Sequence, residues 1–251
     1  MDTKILIDYT LHLADNALII GHRNSEWCGH GPILEQDIAI TNIALDMIGQ
    51  ARNFYQYAAQ LTGNSATEDS LAYLRDEMDF KNNLLVEIPN GDWAQTVLRQ
   101  FFFSTYQYFL YQQLQNSSDT QLAAIAEKSL KEVTYHLRWS SEWVIRLGDG
   151  TEESKHRMQN AINEIWSYTG ELFIAASYEL LAVSGGYGVD LSMIKMDWDK
   201  KVKAVFEEAT LTLPEKIWMH SGGKEGRHTE NLGFILAEMQ FLQRAYPNSE
   251  W

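Results

Sequence analysis

The chain has 251 residues, 45% hydrophobic and 30 of them aromatic, with 20 basic against 34 acidic side chains and a formal net charge of −14. That composition supports a sizeable core and excludes a disordered or low-complexity chain. It also excludes nucleic acid and anionic membrane surfaces as partners: the longest basic cluster, Lys200-Lys201 with Lys203, is flanked by Asp197, Asp199, Glu207 and Glu208.

The first twenty residues mix apolar runs with Asp2, Asp8, His12 and Asp15, which is not the pattern of a signal peptide. No stretch approaches the roughly 20 apolar residues of a membrane span. The lone Cys28 allows no internal disulfide and fits a reducing compartment, so a cytoplasmic location is expected.

Only four prolines occur, and the stretches between them read as helices. Pro32 follows Trp27-Cys28-Gly29-His30-Gly31 and opens a helix to about Leu61. There Ile33, Leu34, Ile38, Leu45, Ile48, Phe54 and Tyr55 are expected to lie along one face, with Gly63-Asn64 as the stop. A capping box at Ser65-Ala66-Thr67-Glu68 predicts a helix over 67–86. The next, over 92–115, is aromatic at seven of the eleven positions 101–111. A second box at Ser118–Gln121 opens a helix to Leu147, and others are predicted over 151–183, 191–209 and 229–245. No β-hairpin signal occurs. The expected fold is all-α, a long four-helix bundle with additional packed helices, forming one domain over 1–251. An α-solenoid would need a 30–45-residue repeat, which is absent.

Long-helix bundles can carry a di-iron centre held by a glutamate from each of two helices and a Glu-x-x-His from each of the others. Only Glu153-Ser154-Lys155-His156 and Glu225-Gly226-Arg227-His228 have that spacing; the first reads as a solvated face and the second lies in a glycine-rich run. Glu132 and His136 are four apart. The 93–115 helix has no Asp, Glu or His, so no metal or other cofactor site is expected.

A co-linear set of segments runs through nearly the whole chain: Trp27-Cys28-Gly29-His30, the run Asn42–Asn53, Glu87-Ile88-Pro89-Asn90-Gly91, Tyr135-His136-Leu137-Arg138, Gly222-Gly223-Lys224, His228-Thr229-Glu230 and Leu236–Arg244. It resembles the family formed by the C components of bacterial phenylacetyl-CoA epoxidases. The resemblance implies a ferritin-like fold and a part in the multicomponent system that epoxidises the ring of phenylacetyl-CoA during aerobic phenylacetate degradation. It also implies a non-catalytic chain that associates with the di-iron catalytic component of the same epoxidase, its A component, and with further subunits.

Candidate partner contacts are Trp27, His30, Phe101, Phe102, Tyr106 and Lys224, although the aromatic run reads equally as core packing. Asp37, Asp46, Glu132, His136 and Glu171 are expected to be buried, hydrogen-bonded structural groups, and no catalytic residue is assigned. The Gly222-Gly223-Lys224 loop suits an anion such as a coenzyme A phosphate, but reads better as a turn. Two other readings stand beside that of a structural partner: an oxygenase with its own di-iron site, and a free-standing helical ligand-binding protein.

Overall fold

A computed structural model describes residues 3–214, 217–247 and 249. Among them are eleven α-helices and no strand. In chain order these are α1 (Thr3–Ser25), α2 (Leu34–Thr62), α3 (Glu68–Tyr73), α4 (Leu84–Glu87), α5 (Trp93–Leu114) and α6 (Thr120–Gly148). There follow α7 (Glu152–Ile165), α8 (Ser177–Ser184), α9 (Leu191–Glu208), α10 (Glu230–Met239) and α11 (Phe241–Ala245). The chain divides into two compact units, one made of Met1–Pro89 with Gly222–Trp251 and the other of Asn90–Ser221.

In the first unit α1 and α2 pack along their length. α1 is buried continuously from Tyr9 to Gly21, its polar Thr10, His12, Asp15 and Asn16 included. The turn between them is fastened by the Gly31 N–H, which donates to Asp37 Oδ2 at 2.9 Å. A Cβ on Gly31 would stand 2.7 Å from the Asp37 backbone, so only glycine fits.

The apolar residues of α2 do not share one face. Ile40, Ile43, Met47, Phe54 and Tyr55 are buried, whereas Leu34, Ile38, Leu45 and Ile48, with Ile33 just before them, are exposed. The reason is helical geometry: Ile38 and Ile40, like Leu45 and Met47, are two residues apart, or about 200° around the axis. α2 therefore has two apolar faces, and only one lies in the core.

The helix expected over 67–86 is short. α3 is capped by Thr67 and Ser70, each side chain accepting the other's backbone N–H at 3.0 and 2.9 Å, so the capping box lies two residues beyond Ser65. From Leu74 the chain runs as a strap with one 3-10 turn and little α4. Groups on α1 capture its backbone: Lys81 N–H donates to Asp15 at 2.8 Å and Asn83 N–H to Asn16 at 2.9 Å. The predicted 229–245 helix breaks at Gln240, whose buried amide donates to the Ala72 and Arg75 carbonyls at 3.2 and 3.0 Å.

In the second unit α5 packs on α6, α7 and α9. Asp92 and Gln95 form a capping box at the start of α5, and Asp119 caps α6 by accepting from Gln121 and Leu122 N–H in place of the expected Ser118 box. The helix expected over 151–183 stops at Ile165 and gives way to two 3-10 turns. A Cβ at Gly170 would stand 2.7 Å from the Met219 side chain, so the chain turns tightly there. It resumes at α8, where Glu179 accepts the Ala176 N–H at 2.8 Å.

The aromatic run of α5 is the core of this unit. Phe102 meets Trp166 and Trp198 at 5.6 Å and Phe206 at 6.0 Å between centroids, and its carbonyl accepts the Trp198 indole N–H at 3.0 Å. Tyr106 meets Phe173 at 6.1 Å. Phe101, Phe102 and Tyr106 are fully buried, which removes them from the candidate partner contacts. Each aromatic ring in such a core contributes about 1.5–3 kcal/mol by leaving water.

Candidate functional site

The densest chemistry lies in the first unit, where charged and amide side chains bind the 74–89 strap to α1 and α2. Asp15, fully buried on α1, accepts from the Tyr55 hydroxyl at 2.6 Å, from the Lys81 N–H at 2.8 Å and from both terminal nitrogens of Arg75. The Arg75 guanidinium also lies 4.2 Å above the Phe80 ring and donates to the Asp79 carbonyl at 3.0 Å. Burial first, and then the Asp15 charge, push the Tyr55 hydroxyl pKa well above its ordinary value. One residue on, Asn16 accepts both the backbone N–H and the side-chain amide of Asn83 at 2.9 Å.

A second knot forms at the other end of the strap. Glu87, wholly buried on α4, accepts from Asn82 at 2.8 Å, from the Thr229 N–H at 2.6 Å and from His228 Nδ1 at 2.8 Å. His228 Nε2 lies 3.0 Å from the Phe80 carbonyl, so both ring nitrogens face acceptors and the imidazolium suits the site. Burial pulls its pKa down, but the hydrogen bond and charge of Glu87 and the Phe80 carbonyl outweigh it, and the net direction is up. Asp15 and Glu87 are both filled with donors. That arrangement fixes a backbone; it leaves neither carboxylate open as a base or a ligand.

The candidate residues named from sequence scatter. Trp27 is half-buried; His30 is exposed, with Nδ1 3.1 Å from the Cys28 carbonyl. Lys224 is buried in a 3-10 turn, and a Cβ on Gly223 would stand 2.3 Å from the Asn82 carbonyl. The glycine loop is therefore clamped onto the strap, and Lys224 offers no outward cation for a partner or a phosphate. His136 and Glu171 are buried, on α6 and in a 3-10 turn. Asp37, Asp46 and Glu132 are only half-buried, because each sits at the edge of its helix's inward face. The Gly31 and Gly29 N–H groups hold Asp37 below the usual carboxylate range.

In neither Glu-x-x-His pair do the two side chains share a hydrogen-bond partner. Glu153 accepts from Arg157 at 2.6 Å on a solvated face. Glu225 accepts from Arg227 at 2.6 Å while His228 turns to Glu87. Among the described residues, no three His, Cys, Asp or Glu side chains gather as a metal-ligand set. The buried polar positions of α5 are Thr96, Arg99, Gln100, Ser104, Thr105 and Gln107. This donor set does not match what a ferritin-like di-iron centre needs.

Several grooves are open to solvent, among them one of about 460 Å³ lined by Gln56, Gln60, Thr67 and Glu68. Another of about 540 Å³ is lined by Asp76, Glu77, Gln240, Phe241 and Arg244, and one of about 450 Å³ by Tyr108, Phe109, Arg138, Glu142 and Lys201. No described helix is long and apolar enough to cross a membrane.

The family model for phenylacetic acid catabolic proteins matches residues 1–251. The chain belongs to that family. It is also 49% identical to the C component of 1,2-phenylacetyl-CoA epoxidase from Escherichia coli (strain K12) over 246 residues, which cover 98% of this chain and 99% of that protein. The phenylacetic acid catabolic protein family accounts for the all-α, ferritin-like architecture expected from sequence. Asp15, Tyr55, Arg75, Glu87 and His228 are functional in the sense of holding the strap, yet sequence reasoning misses them. The available signals are Asp15-Asn16 within an apolar helix and the Glu87-Ile88-Pro89 and His228-Thr229 segments of the resemblance.

Proposed function

We propose that this chain is the metal-free structural subunit of a phenylacetyl-CoA epoxidase, a cytoplasmic protein that holds the di-iron catalytic component in shape during aerobic phenylacetate breakdown. The observation that carries this reading is α5: at the heart of its unit it presents phenylalanine, tyrosine, glutamine and hydroxyl side chains and not one carboxylate or imidazole. Near-complete alignment with the C component of such an epoxidase supports the same role. The saturated network around Asp15 and Glu87 supports it too, since these buried acids are committed to holding backbone.

Co-expression with the homologue of the catalytic component, followed by sizing and iron analysis, tests the proposal. A stable complex is expected, with iron accounted for by the catalytic chain and none bound by this chain purified alone. About two irons per isolated chain, or failure to co-purify, refutes it.

A further inference from the structure

The groove of about 450 Å³ formed by α5, α6 and α9 lies wholly within the second unit. Its volume falls within the roughly 300–1,000 Å³ usual for small-molecule sites. On α6 the lining residues Thr134, Leu137, Ser141 and Ile145 recur at steps of three and four, which puts them on one face of the helix. Leu137 is buried and Ile145 half-buried, and α5 adds the half-buried rings of Tyr108 and Phe109, set edge to face with centroids 5.2 Å apart. These four side chains offer an apolar and aromatic bed.

The polar groups give the groove a sign. On α9 the neighbouring cations are spent: Lys195 on Asp199 at 2.6 Å, Lys200 on Asp197 at 3.4 Å and Lys203 on Glu207 at 3.7 Å. Lys201, which turns to the groove, is half-buried and makes no ion pair among the described residues. Arg138 is exposed and likewise has no carboxylate; its guanidinium lies 5.8 Å from the Tyr135 ring centroid. Against these two cations the lining holds one acid, the exposed Glu142, so the groove is net positive on a chain whose total charge is −14. A partly desolvated ammonium without a counter-charge gains most from an anion brought to it. The Ser141 hydroxyl, buried on the same stripe, has no hydrogen-bond partner in the protein, and an oxygen reaching the groove floor would give it one.

We propose that this groove binds a small organic acid with an aromatic or branched apolar body. The carboxylate meets Lys201 and Arg138, and the body lies on Tyr108, Phe109, Leu137 and Ile145. The site is complete within this chain, so it stands whether or not the chain serves as a structural subunit.

Ligand-observed NMR titration of the full-length chain tests it. The probe is phenylacetate, with 2-phenylethanol as the ring without the charge and acetate as the charge without the ring. Phenylacetate should bind with a Kd below about 1 mM at low salt, and more weakly as salt is added. The other two should each bind at least about 5-fold more weakly, since each lacks half of the recognition. Lys201→Met, which keeps an apolar stem, and Arg138→Gln should retain the wild-type thermal midpoint and each weaken phenylacetate by about 3- to 5-fold. Lys200→Met removes a cation already paired with Asp197 and should bind like wild type. No phenylacetate binding at about 10 mM, ten times the expected ceiling, overturns the site. Equal affinity for 2-phenylethanol overturns the choice of an acid, and wild-type affinity in both Lys201→Met and Arg138→Gln overturns the choice of groove.

Discussion

Asp15→Asn keeps the shape of the side chain and one acceptor oxygen but removes the charge opposite Arg75. Asp15 is fully buried and the Arg75 side chain is 12% exposed, so the variant leaves a nearly buried guanidinium without its counter-charge. Removing one partner of a buried ion pair costs about 3–5 kcal/mol, and the sliver of solvent reaching Arg75 sets the lower end, about 3 kcal/mol. For a chain of this size that lowers the melting midpoint by about 6–12 °C. Thermal melts by circular dichroism measure it. Hydrogen exchange adds a local readout: the Lys81 N–H donates to Asp15 and should lose protection, while amides inside α5 keep theirs. In a double-mutant cycle with Arg75→Leu, the two losses should overlap by at least about 1 kcal/mol. A midpoint within about 2 °C of wild type, less than the smallest shift expected for such a loss, with Lys81 still protected, would refute the view that this acid holds the strap.

His228 gives a pH dependence of fixed sign. Its folded pKa is raised above the ordinary 6.5, so the stability it contributes is fully present below that value and is lost as pH rises through the folded pKa. The melting gap between wild type and His228→Gln should be widest near pH 5.5 and narrow steadily towards pH 9; a gap that widens with pH contradicts the Glu87 pairing. Phe102→Ala opens a cavity among Trp166, Trp198 and Phe206 and should cost about 3–5 kcal/mol of the isolated chain's stability. A urea denaturation midpoint unchanged from wild type would return Phe102 to the partner contacts.

The long helices are legible in the sequence because their causes are local. Pro32 and Gly63 bracket α2, Asp92 starts α5 within one residue of expectation, and α9 ends within one residue of the expected 191–209. What escapes is governed from far along the chain. The backbone at Lys81 and Asn83 is taken by acceptors on α1 more than sixty residues away, and no periodicity within 67–86 can reveal that competition. The break at Gln240 has the same origin, since its amide is spent on carbonyls of residues 72 and 75. The two faces of α2 are visible as spacing, but which residues lie inward depends on where α1 packs. The absence of ligands on α5 is legible directly, because a residue type that is missing needs no fold to be counted.

The Glu87–His228 pair joins residues 141 positions apart in a unit that is discontinuous in sequence, the second unit being inserted between its two parts. On the ribosome, the stretch from Asn90 to Ser221 must be made before His228 exists, which takes about 7–26 s at 5–20 residues per second. Throughout that interval Glu87, at the end of α4, lacks its native partners His228 and Thr229. The chain emerges with its first unit unfinished and its second able to fold earlier. The segment that carries His228 and Thr229 thus acts as a late clasp, and a chain released before it is made cannot pair Glu87 with them.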